Sequence, residues 1–143
     1  MKKLLLFSAL VFALAFQSCS DDSDTPRSVL TARVNGVDKV FNTVNVEVQP
    51  YEGYTDLAVT ASINNSPVER ISFVVEQGKL GLDASWYFAY FLNETWHPKM
   101  PGFQTSVTES TEHKIIGTFA GQVETSDTGE IVTLENGKFN VYY

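Results

Sequence analysis

The sequence predicts one antiparallel all-β domain, a β-sandwich or small barrel of about eight or nine strands behind a cleaved signal peptide. No stretch after Val29 keeps apolar residues at i, i+3, i+4 and i+7 over the roughly eleven positions an amphipathic helix requires. Several short runs instead alternate with period two and are rich in Val, Ile, Thr, Phe and Tyr. Two Asn-Gly pairs, Asn35-Gly36 and Asn136-Gly137, supply cheaply the positive φ that both central residues of a type I′ hairpin need.

Along the chain, strands are expected at Leu30–Val34, Val37–Val48, Leu57–Asn64, Glu69–Glu76, Ser85–Leu92, Phe103–Glu109, Lys114–Glu124, Ile131–Glu135 and Lys138–Tyr142. The first two are joined by Asn35-Gly36. The run Trp86-Tyr87-Phe88-Ala89-Tyr90-Phe91 is apolar on both faces, as a central strand covered on each side would be. Lys114–Glu124 sets Ile115, Gly117, Phe119, Gly121 and Val123 on one face. Glycines weaken a strand unless something packs close to the backbone, and the expected occupant is a ring from Trp86–Phe91. A two-residue loop at Asn136-Gly137 would set Glu135 opposite Lys138, Leu134 opposite Phe139 and Val132 opposite Val141, each pair contributing roughly 0.2–1 kcal/mol.

Composition narrows the function classes. The 143 residues carry 17 Asp+Glu against 10 Lys+Arg, with 43% apolar and 13% aromatic residues. One domain is expected at this length. The aromatic content excludes a disordered solvating tail, and collagen, coiled-coil and low-complexity classes do not fit. An acidic balance without a basic stripe argues against nucleic acid, whose phosphates demand clustered Lys or Arg. A single cysteine cannot build a disulfide framework.

Lys2 and Lys3 precede an uncharged, mostly apolar run from Leu4 to Phe16 that ends at Gln17-Ser18-Cys19, the layout of a secretory signal peptide. Thirteen helical residues would cover roughly 20 Å, short of the ~30 Å hydrocarbon core, so cleavage is expected rather than a retained span. Phe16-Gln17-Ser18-Cys19 resembles the lipobox of bacterial lipoproteins, which makes Cys19 the diacylated N-terminus; the alternative is ordinary cleavage beside an incidental cysteine. Lipidation would leave no thiol for catalysis, metal or redox work, and more than one acyl chain gives stable anchoring. The run Ser20-Asp21-Asp22-Ser23-Asp24 cannot pack; it reads as a solvated tether. It also resembles the export signal that sends Bacteroidota lipoproteins to the outer face of the outer membrane. The tether Ser20–Ser28 has a reach of about 15–18 Å. The chain thus divides into a signal peptide (1–18), a lipidated acidic tether (19–28) and an all-β domain (29–143). Loss of Lys2 and Lys3 takes the formal charge from −7 to −9. The expected location is the outer membrane, lipid-anchored and exposed on the cell surface, with the periplasmic face as the alternative.

Ile116-Gly117-Thr118-Phe119-Ala120-Gly121, an acidic gap and Ile131–Asn140 with its Asn136-Gly137-Lys138-Phe139 ending resemble the C-terminal signature of small Bacteroidota lipoproteins that carry a domain of unknown function. Ala32-Arg33-Val34-Asn35-Gly36 resembles their opening hairpin, with Phe41 where they usually carry a Trp. The resemblance covers the ends of the domain and implies a compact β-sandwich or barrel-like lipoprotein; it brings no catalytic residue.

Chemistry is sparse. His97 and His113 stand in different segments without ligand spacing, so no metal site is expected, and no cofactor motif occurs. The carboxylates Asp83, Glu94, Glu109 and Glu112 are scattered, whereas glycoside hydrolysis needs a pair about 5–9.5 Å apart in a cleft. Glu52 and Asp56 lack the density of a calcium loop. No enzymatic activity is therefore expected. The loop Asn93–Gly102 stands out, with Trp96, His97 and Met100 among two prolines, which hold it open, and a glycine. It reads either as a lid over the end of the sandwich or as a contact surface for a glycan or protein, which Tyr51 and Tyr54 could extend. The alternatives to that binding module are a barrel carrying an apolar ligand, with Trp86, Phe88 and Tyr90 lining a cavity, and, behind it, a hydrolase with titratable groups converging in a cleft.

Overall fold

The computed structural model describes residues 26–82 and 84–143. They form eleven strands: β1 (Val29–Val34), β2 (Val37–Phe41), β3 (Thr43–Tyr51), β4 (Tyr54–Ser62), β5 (Glu69–Glu76), β6 (Gly81–Leu82), β7 (Ser85–Leu92), β8 (Thr95–Pro98), β9 (Gln104–Ser110), β10 (Lys114–Glu124) and β11 (Ile131–Tyr142). No helix occurs among the described residues. The strands build two antiparallel sheets, sheet A in the order β2-β1-β11-β10-β9-β6 and sheet B in the order β3-β4-β5-β7-β8. Their inner faces share one apolar core, so the fold is an unclosed sandwich, and the barrel alternative falls away.

Asn35-Gly36 makes the expected hairpin, with φ of 47° and 81° and Val34 paired to Val37. Its tip is fastened to β11: the Asn35 N–H donates to the Thr133 carbonyl at 2.9 Å, and the Thr133 N–H to Asn35 Oδ1 at 2.8 Å. The run expected as one strand, Val37–Val48, breaks at Asn42 and changes sheet. Phe41 faces the core from sheet A, and Val44 and Val46 pack against it from sheet B, so one unpaired residue resets the alternation. Two 2.7 Å bonds between the Asn42 amide and Asn64 hold this corner. The next strand begins earlier than Leu57, because Tyr51 pairs with Tyr54 across Glu52-Gly53 and extends the hairpin.

The hairpin expected at Asn136-Gly137 does not form. β11 runs straight through the pair, flanked by β1 on one side and β10 on the other. Thr31 pairs with Lys138 and Arg33 with Glu135, so Asn136 and Gly137 together oppose one residue of β1; the register slips likewise against β10. Asn136, at φ 51°, is the bulge residue. The bulge turns Val132 and Leu134 before it, and Phe139 and Val141 after it, to the same core face.

β10 has its expected inner face, with Ile115, Phe119 and Val123 buried, but the rings over its glycines come from elsewhere. A Cβ on Gly117 would overlap the Phe139 ring and the Ser106 carbonyl, and one on Gly121 would lie 2.7 Å from the Phe103 Cα. Phe88 of β7 lies one layer further in, its ring tilted against both, 4.9 Å from Phe119 and 4.3 Å from Phe103. We predict that Gly117→Ala, which must move a backbone carbonyl, costs about 3 kcal/mol. Gly36→Ala, in open space but at positive φ, should cost about 1 kcal/mol; urea denaturation of the two variants measures the difference.

Candidate functional site

The segment read as an open loop, Asn93–Gly102, begins as a two-residue hairpin. Leu92 pairs with Thr95 across Asn93-Glu94, both at positive φ (49° and 66°), and β8 follows as the edge of sheet B. In a strand, neighbouring side chains point to opposite faces. Trp96 therefore lies on the outer face of sheet B, 44% exposed, while His97 turns inward and is 1% exposed.

Trp96 rests edge-on against two rings of β7, Phe91 at 4.9 Å and Tyr87 at 5.6 Å between centroids. A bulge in β7 adds a fourth ring: Val74 pairs with Tyr87 but Val75 with Ser85, so Trp86 is the extra residue. It stands 63% exposed with its ring 6.0 Å from Tyr87. From β5, the Arg70 guanidinium lies over Phe91 at 4.4 Å, within cation–π range. Partial burial pushes the Tyr87 phenol above its ordinary pKa. The outer face of sheet B thus carries a continuous row, Trp86–Tyr87–Trp96–Phe91–Arg70, on paired strands.

Of the surface residues read from the sequence, Trp96 belongs to this row and the other three do not. His97 is a core residue, not a surface one; its ring is 5.7 Å from Tyr90, and its Nδ1 is 3.2 Å from the Thr95 carbonyl. Tyr51 and Tyr54 stack on each other at 5.0 Å, at the tip of the β3–β4 hairpin. The register that carries Trp96 across the sheet reaches β4 at Ser62, eight residues and ~27 Å along the strand from Tyr54. Tyr87 and Phe91 have no sequence signal beyond the apolar run, Arg70 has none, and only the carrier alternative sets Trp86 on a cavity wall. Trp86 instead faces solvent while Phe88 and Tyr90 are packed in the core, so the three line no common cavity. Cys19, Ser20, Asp21, Asp22, Asp24 and Asp83 lie outside the described residues.

Titratable groups converge at one end of the core. Lys39 of β2 reaches from sheet A to Glu69 of β5 in sheet B, with its Nζ 2.6 and 2.8 Å from the two carboxylate oxygens. The Tyr90 hydroxyl donates to Glu69 Oε1 at 2.7 Å. Burial first, then the bond to Glu69 and the charges of Glu69 and Glu130, push the Tyr90 phenol far above its ordinary pKa. Both glutamate oxygens are occupied, so this is a tie between the sheets. Of the scattered carboxylates, Glu94 sits at the β7–β8 turn, and Glu109 of β9 pairs with Lys114 at 3.0 Å. Among the described residues no group of three or more His, Cys, Asp or Glu could hold a metal ion. A depression of about 330 Å³ lies on the outer face of sheet A over Gly117, lined by Thr31, Ile116, Thr118, Lys138 and Asn140. No protein-family model, curated protein or solved structure matches the chain.

Two predictions follow from this geometry. Tyr90→Phe keeps the ring but removes a hydrogen bond to a charged acceptor, and should cost about 1.5 kcal/mol near neutral pH. The folded protein resists ionising Tyr90, whereas an unfolded tyrosine ionises near 10.0. That contribution is present below this pH and lost above it. Chemical denaturation across alkaline pH should therefore show a shallower fall in stability for the variant, with Tyr87 and Tyr143, whose pKa values are also raised, supplying the remainder. Glu94→Gly removes the strain of a side chain at positive φ. It should raise stability by about 0.5–1 kcal/mol, visible as a higher melting midpoint.

Proposed function

We propose that this chain is a bacterial lipoprotein anchored through Cys19, whose sandwich is a non-catalytic module that holds a polysaccharide on the outer face of sheet B. The row of four aromatic rings on that face, two of them exposed tryptophans, carries the reading. Sugar rings present flat C–H faces that stack on indole and phenol rings, and a tryptophan with two side-chain torsions loses little entropy on binding. Single exposed aromatics are ordinary on a protein surface, but a contiguous row on one sheet face marks an interaction site.

The attachment geometry is compatible. The tether leads into β1 of sheet A, where Ser28 Oγ donates to the Tyr142 carbonyl at 3.0 Å and accepts from the Tyr142 N–H at 2.8 Å. The aromatic row belongs to the other sheet. The acidic run behind Cys19 supports display on the cell surface.

Affinity electrophoresis tests the reading, with the mature chain (Cys19→Ser, to block lipidation) run through gels that contain soluble polysaccharides. At least one polymer should retard the protein, and Trp86→Ala or Trp96→Ala should weaken that binding at least tenfold. The melting midpoint of Trp86→Ala should stay close to that of the parent, because its ring is mostly in water. Retardation by none of the polymers, or undiminished binding by both variants, would overturn the reading and leave a protein ligand as its replacement.

A further inference from the structure

We propose that the polysaccharide held on this face is acidic and that Arg70 binds its carboxylate. The inference rests on the preceding one and adds a ligand class to it. Among the described residues, Arg33, Lys39, Lys79 and Lys114 each pair with a carboxylate, at Asp38, Glu69, Glu76 and Glu109, and Lys99 donates to the Ser85 carbonyl; of the cations without an ion pair, Arg27, Lys99, Lys138 and Arg70, only Arg70 lies over an aromatic ring. Arg70 has no ion pair and no side-chain hydrogen bond with any described residue, although the chain carries 17 acidic residues against 10 basic ones. Its sequence neighbour Glu69 cannot serve, because the strand pleat turns that carboxylate into the core, where Lys39 and Tyr90 occupy it. Glu76, which shares the outer side of β5 with Arg70, is six residues and ~20 Å away and pairs with Lys79.

What Arg70 touches is Phe91, and Phe91 also touches Trp96. The guanidinium carbon and the indole are 4.4 and 4.9 Å from the Phe91 ring centre, so they lie within about 9 Å of each other. A pyranose stacked on Trp96 and bearing a carboxylate on its ring places that group within reach of Arg70. The planar guanidinium matches a carboxylate with two parallel N–H···O bonds, which a lysine could not reproduce. Stacking on Phe91 holds the arginine in place before the ligand arrives and reduces the ordering cost of binding. A neutral glycan would leave this cation without a partner on the bound face, so carboxylated polymers are favoured over neutral ones.

The test uses the mature Cys19→Ser chain with polygalacturonate and alginate, each against its carboxyl-reduced neutral counterpart, with polyglutamate as a charged polymer without sugar rings. The protein should bind at least one acidic polymer at least tenfold more tightly than its neutral counterpart, with a preference that weakens as salt rises. Arg70→Met, which keeps an aliphatic stem over Phe91, should abolish the preference yet retain the residual affinity for the neutral polymer and the melting midpoint. A preference that survives Arg70→Met, binding only of neutral polymers, or equal competition by polyglutamate would overturn the role of Arg70 and leave the aromatic glycan surface standing. Failure of every polymer, acidic and neutral, would instead overturn the surface itself.

Discussion

The fold depends on fitting phenylalanine rings into the gap of about 10 Å between two sheets. Phe73 of sheet B meets Phe139 of sheet A at 5.0 Å, and Phe88 of sheet B meets Phe119 of sheet A at 4.9 Å. Those two sheet A rings also make a reciprocal pair on neighbouring strands. Gly117 of β10 pairs with Phe139 of β11, and Phe119 of β10 with Gly137 of β11. Each ring lies where the opposite glycine would otherwise carry a Cβ. The glycines that should weaken a strand thus create the space for its largest side chains, and the bulge at Asn136 brings Leu134, Gly137 and Phe139 to one face. Without the bulge, one half of β11 would show its apolar residues to water.

Much of this was legible in the sequence because alternation is a local signal. The bounds of β5, β7 and β10 follow from it directly, as does the Asn35-Gly36 hairpin. The second Asn-Gly pair misled because its turn preference is also local, and β1 outweighs it by pairing with both halves of β11. A parity change was visible there: the apolar residues fall at 132 and 134, then at 139 and 141. Hairpin and bulge both accommodate such a change, and only a partner strand distant in sequence decides between them. The same change, from Phe41 to Val44 and Val46, marks the sheet switch at Asn42.

The candidate site was half legible, for a different reason. Trp96 drew notice as an aromatic among prolines, but reading its segment as a loop removed the period-two rule that sends His97 to the core. The missing signal was the turn: glutamate is a poor residue at φ 66°, so Asn93-Glu94 does not announce a type I′ hairpin. In β7 the difficulty was saturation. A run apolar on both faces has no visible parity, so nothing marked the bulge that leaves Trp86 beside Tyr87 in solvent.

β7 does two jobs through one pleat. Phe88 and Tyr90 face inward and hold the core and the Lys39–Glu69 tie, while Tyr87 and Phe91 face outward beneath Trp96. The same division operates on β5 between adjacent residues of opposite charge. Glu69 and Arg70 are neighbours in sequence and would be the obvious ion pair, yet the pleat sends them to opposite faces. Glu69 meets a lysine from the other sheet, and its negative charge is spent on joining the layers. Arg70 meets Phe91 and keeps its hydrogen-bonding capacity on the outer face. The pleat therefore gives Glu69 to the bridge from Lys39 and leaves Arg70, among the described residues, without a carboxylate partner.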